Sequence, residues 1–101
     1  MNKYGARKTY SELCSRQFDS KKEAVRGEEL VLMEKAGVIS DLEYQPRFIL
    51  SSNPKATYTA DFRYIENGQS VVEDAKGVMT KDARLRIIWL KQLTGIEVRI
   101  V

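Results

Sequence analysis

Residues 56–77 read ATYTADFRYIENGQSVVEDAKG, and the fold follows from how this stretch turns back on itself. Asn67-Gly68 is a strong two-residue hairpin signal, because both positions of a primed turn need positive φ. With these two residues as the loop, Glu66 faces Gln69 and every facing pair sums to the same value. Asp61 then stands opposite Asp74, and Lys76 opposite Thr59. Strand alternation puts Asp61, Asp74 and Lys76 on one face. Tyr58, Ala60, Phe62 and Tyr64 take the other with Val71, Glu73 and Ala75, which makes that the core side. Opposed carboxylates have Cβ atoms roughly 5 Å apart and repel unless something neutralises them. Two arrangements satisfy this: a divalent cation held between the pair, or two solvated carboxylates with Lys76 as an ordinary ion-pair partner.

Working outward, Ser20-x-x-Glu23 matches a capping box and Gly37 a C-terminal stop, predicting a helix over about 21–36. Its apolar arc holds Ala24, Val25, Val31, Leu32, Met33 and Ala36; Glu23 falls opposite the centre of the arc, and Glu28 and Glu29 fall within it. Residues 42–50 (LEYQPRFIL) read as a strand whose Pro46 marks an edge or a bulge. Residues 56–65 and 69–76 are the hairpin strands. Thr80 caps a second helix to about residue 93, with Ala83, Ile87, Leu90 and Thr94 in line and Gly95 at its end. Trp89 is assigned to the core. Residues 96–101 alternate as a last strand. The order is helix, three strands, helix, strand: an α/β domain, its mixed sheet flanked by helices, over residues 18–101. Residues 1–17 form a basic, partly ordered arm in which Lys3, Arg7 and Lys8 could touch a phosphate backbone or simply keep the terminus soluble.

The chain has 101 residues, one cysteine and no histidine. Serine–histidine and cysteine–histidine dyads and Cys/His zinc clusters are therefore excluded, leaving carboxylates, lysine and a hard cation such as magnesium or manganese as the prominent enzymatic option. Cys14 has no internal disulfide partner, and the longest apolar runs are four residues (Leu30–Met33 and Ile87–Leu90). These features predict an intracellular, cytoplasmic protein without a membrane span. Net charge is +3, with ten acids and six bases over residues 23–76 set between basic ends. Such a layout suits either approach to a polyanion or an ordinary solvated surface of mixed charge.

The segments Phe18-Asp-Ser-Lys-Lys-Glu23, Tyr58-Thr-Ala-Asp61-Phe62 and Val72-Glu-Asp74-Ala-Lys76-Gly77 resemble the PD-(D/E)XK nuclease superfamily. Nearest in pattern are the phage-type Holliday junction-resolving endonucleases and related small phage nucleases, with their phrases S-x-x-E, Y-T-x-D-F and V-E-x-K-G. The resemblance runs from about residue 18 to 77, and the element order is similar to the restriction-endonuclease-like αβββαβ core of that superfamily. It implies that Asp61 and Asp74 are metal ligands joined by the Ala75 carbonyl, that Lys76 orients or activates the attacking water, and that Glu23 completes the site. Glu29, inside the apolar arc, is the second choice for the helix carboxylate. Asp74 stands where several relatives have Glu.

The activity implied is metal-dependent hydrolysis of DNA phosphodiesters with Mg2+, for which Mn2+ can substitute, on four-way junctions and by a homodimer of phage origin. Alternatives are a nickase, a flap or recombination-associated nuclease, or a non-catalytic DNA-binding module with the same fold. Lys21, Lys22 and Arg26, with Lys81, Arg84, Arg86 and Lys91 of the second helix, are candidate phosphate contacts.

Overall fold

The structure, a computed structural model, describes residues 7–101; Lys3 lies outside the described residues. Strands β1 (Thr9–Ser11) and β2 (Arg16–Phe18) form a short hairpin packed on helix α1 (Lys21–Lys35). The described part of the expected loose arm is thus ordered from Thr9 on. Strands β3 (Ile39–Tyr44), β4 (Arg47–Ser52), β5 (Lys55–Thr59), β6 (Phe62–Glu66) and β7 (Gln69–Asp74) follow, then helix α2 (Lys81–Thr94) and β8 (Val98–Ile100). The main sheet has the order β3-β6-β7-β8, antiparallel except for the parallel β7–β8 pair. In chain order it draws on one helix, three strands, a helix and a strand, so the molecule is mixed α/β as expected.

Local chemistry accounts for the boundaries. Ser20 Oγ accepts from Glu23 N and Thr80 Oγ1 from Ala83 N, satisfying first-turn amides, while Gly95 closes α2 at φ 80°. Asn67 and Gly68 take φ 53° and 76°, the primed turn, and Glu66 pairs with Gln69.

Two expected strands are each broken in two. β3–β4 and β5–β6 form one long hairpin whose register runs from Tyr44↔Phe62 to Arg47↔Thr59 without slipping. At Pro46, which cannot donate, and Ala60-Asp61 the ladder ends in Gln45 N–H to Asp61 O (2.9 Å) and Ala60 N–H to Pro46 O (3.0 Å), and the ribbon changes sheet. The break separates two cores. Phe18, Ala24, Leu30, Ile39, Phe62 and Tyr64 pack beneath α1; Leu50, Tyr58, Ala60, Val72 and Leu90 pack beneath α2. Tyr58 and Ala60 therefore do not share a core with Phe62 and Tyr64, contrary to simple alternation.

The buried face of α1 is Glu23, Ala24, Gly27 and Leu30, which shares only Ala24 with the arc expected from hydropathy; Met33 of that arc is partly buried, while Val25 and Leu32 are exposed. Phe18 lies so close that a Cβ on Gly27 would sit 2.7 Å from its Cζ. The helix is seated by a glycine, which contributes nothing to a hydropathy pattern. On α2, Leu90 is buried, whereas Leu85, Ile88, Trp89 and Leu93 are 40–55% exposed. Trp89 is thus not a core residue.

Candidate active site

Three separate elements bring carboxylates to one place. Asp61 sits at the ribbon break, Asp74 ends β7, and Glu23 lies in the first turn of α1. The facing positions inferred from the Asn67-Gly68 turn become a mutual clasp. Asp61 N–H donates to Asp74 Oδ1 (2.9 Å), and Ala75 N–H donates to Asp61 Oδ2 (2.8 Å). Asp74 is not solvated: it is fully buried, and its Oδ2 accepts the Tyr58 hydroxyl, with Lys76 Nζ 3.5 Å away. Tyr58 is a partner that alternation placed on the wrong face.

Glu23 is 5% exposed. Its amide completes half of the capping box, but its carboxylate does not return to the Ser20 amide, and Oε2 is buried without a hydrogen-bond partner. Glu29, the second choice, is largely exposed and paired with Arg26 (3.1 Å). Of the two helix carboxylates, Glu23 is the one beside Asp61.

Burial, then the charges of Asp74 and Glu23, push the Asp61 carboxyl from 3.8 up to about 8. Burial and the neighbouring Asp19 raise Glu23. Asp61 and Glu23, both raised by burial and by neighbouring carboxylates, form a site prepared for positive charge. As they stand, no three acidic or cysteine side chains among the described residues are close enough to enclose a metal ion. Asp61 and Asp74, tied directly by hydrogen bonds, form the inner pair, with Glu23 beside it. The orphaned Glu23 Oε2 and the charge held off by Asp61 fit a hard cation.

Glu23, Asp61, Ala75 and Lys76 line a cleft of about 730 Å3, with Arg7, Lys21 and Lys22 on its walls. Lys22 Nζ donates to the Lys76 carbonyl (2.9 Å), tying α1 to the loop after β7. Lys8, Lys81 and Arg84 are exposed. Three other candidate phosphate contacts are engaged within the protein. Arg26 forks onto buried Glu73 (2.6 and 3.1 Å), which also accepts from Tyr64; Arg86 binds Asp82 and the Thr57 carbonyl; Lys91 pairs with Glu97. Glu73 is therefore a structural ion-pair member, as its place on the apolar face implied.

Residues 1–92 match the family described as "Protein of unknown function (DUF1064)". The chain belongs to that family. The DUF1064 match takes in Glu23, Asp61, Asp74, Lys76 and Tyr58 and stops within α2, before β8. No curated protein and no solved structure matches the chain.

Proposed function

We propose that this chain is a metal-dependent DNA endonuclease of the PD-(D/E)XK superfamily, a phosphodiester hydrolase acting on four-way junctions. The observation that carries this is the reciprocal clasp of Asp61 and Asp74, with Glu23 and Lys76 beside it in a cleft walled by Arg7, Lys21 and Lys22. Asp61, Asp74 and the Ala75 carbonyl would hold Mg2+ or Mn2+, with Glu23 reaching it directly or through water. The cation, when bound, supplies Lewis-acid charge at the scissile phosphate and activation of the attacking water. Lys76 keeps a positive charge next to Asp74 and offers donors to the phosphate. Glu23 Oε2 has acceptor capacity free to orient a water. Arg7, Lys21 and Lys22 neutralise backbone phosphates without reading sequence.

No helix among the described residues is long and apolar enough to cross a membrane. Action inside a cell, with a phage origin, belongs to the same proposal. So does a homodimer: the exposed Leu85, Ile88, Trp89 and Leu93 of α2 are an apolar stripe for a second copy, which would supply a second cleft for the second strand. A non-catalytic DNA-binding module is the competing function, favoured by the want of a ready three-ligand group among the described residues.

The deciding test is cleavage of four-way junction, flap, single-stranded and linear duplex DNA with Mg2+ or Mn2+ by wild type, Asp61→Asn and Lys76→Met. Junction cutting lost in both variants supports the proposal. Binding without cutting by wild type rejects the enzyme in favour of the binding module, and equal cutting of linear duplex rejects junction selectivity.

A further inference from the structure

Tyr58 is 4% exposed in the core beneath α2, yet its hydroxyl is spent on Asp74 Oδ2. An ionised carboxylate has about four acceptor positions, two on each oxygen. On Asp74, Oδ2 faces both the Tyr58 hydroxyl and Lys76 Nζ at 3.5 Å, whereas Oδ1 takes only the Asp61 N–H at 2.9 Å. Each oxygen keeps one position, but the one on Oδ2 faces the Lys76 ammonium, which repels an incoming cation. A cation arriving at this carboxylate therefore meets a single available oxygen.

That count bears on which cation fits. Calcium takes about six to eight oxygens and readily uses both oxygens of one carboxylate; magnesium requires about six in an octahedron and draws on one or two carboxylates, one oxygen each, with water for the rest. We infer that Tyr58 is a positioning residue that makes Asp74 a one-oxygen ligand, and so sets this site for magnesium or manganese against calcium. The inference rests on the cation site proposed above and adds to it the residue that chooses the ion. Without the hydroxyl, Oδ2 regains a position, Asp74 can clasp an ion with both oxygens, and calcium gains more than magnesium.

The test uses the full chain without DNA, in wild type and Tyr58→Phe, with Mg2+ and Ca2+ titrated calorimetrically and folding checked by circular dichroism. Wild type is expected to bind Mg2+ more tightly than Ca2+, and Tyr58→Phe to shift the ratio of the two affinities at least tenfold towards Ca2+. A purely structural tyrosine would weaken both ions alike, so an unchanged ratio in a folded variant overturns the inference. Should the variant not fold, wild type still decides, because Ca2+ bound as tightly as Mg2+ also overturns it. Wild type binding neither ion removes this inference and the cation site together. The expected shift in a protein that cuts no DNA leaves Tyr58's role standing and removes only the nuclease.

Discussion

Replacing Asp61 with Asn is expected to stabilise the cation-free protein while destroying its proposed activity. Asn keeps an oxygen for the Ala75 N–H but carries no charge. In the folded state the Asp61 carboxyl titrates at about 8 instead of 3.8, first because it is buried and then because Asp74 and Glu23 stand beside it. Its pKa is raised, so between those values the folded state holds a proton that the unfolded chain releases. Stability from this group is complete below the lower value and falls as pH rises towards the upper, by about 1.4 kcal/mol per pH unit. A displacement of roughly four pH units sets a ceiling of about 6 kcal/mol. Asp61 lines an open cleft, and water entering it lowers the figure to about 2–3 kcal/mol, still a sizeable part of a small domain's stability. The assay is denaturant unfolding in chelator from pH 4 to pH 8. Wild type should lose stability with rising pH, Asp61→Asn should lose much less, and the two should meet near pH 4. Added Mg2+ should raise wild type at pH 8 and leave the variant unmoved. Parallel pH profiles, or a variant less stable than wild type at pH 8, would refute the reasoning.

Gly27→Ala should cost about 1–3 kcal/mol in chemical unfolding despite alanine's better helix propensity, because its Cβ would meet the Phe18 ring; a neutral result would mean that ring moves freely. Glu73→Leu, which leaves Arg26 with Glu29 alone and the Tyr64 hydroxyl without its acceptor, should destabilise by about 3 kcal/mol, read from the same experiment. Lys76→Met should lower junction cleavage about 100-fold or more while leaving junction affinity within a few fold; undiminished cutting would remove Lys76 from the reaction. For DNA binding, log affinity should fall linearly with log salt, and the double variant Arg7→Ala, Lys21→Ala should flatten that slope by about 2. An unaltered slope would exclude this wall of the cleft from contact with the backbone.

Whatever depended on a turn or a cap was legible in the sequence. Asn67-Gly68 determined the register, and with it that Asp61 and Asp74 would meet; Ser20, Thr80 and Gly95 bounded the helices. What depended on where an element changes layer was not. Alternation assumes an unbroken strand, and the ribbon breaks at Pro46 and Asp61, so alternation puts Tyr58 on the wrong side of the sheet and hides its bond to Asp74. Pro46 alone was the available signal, and it cannot say which residue across the ladder bends with it. The buried side of α1 was hidden for another reason. A glycine and a glutamate make up half of it, Gly27 where the Phe18 ring leaves no room for a Cβ and Glu23 at the cleft, and neither carries the apolarity by which a buried helix face is recognised.

The ribbon break has one further consequence. Asp61 is the joint at which a single pair of strands passes from one core to the other, and Asp74 is the anchor to which that joint is tied. An ion seated on both would join the ribbon break to β7, the strand that contributes Val71 to one core and Val72 to the other. Filling the proposed site and fastening the break in the ribbon to the end of β7 would then be one event.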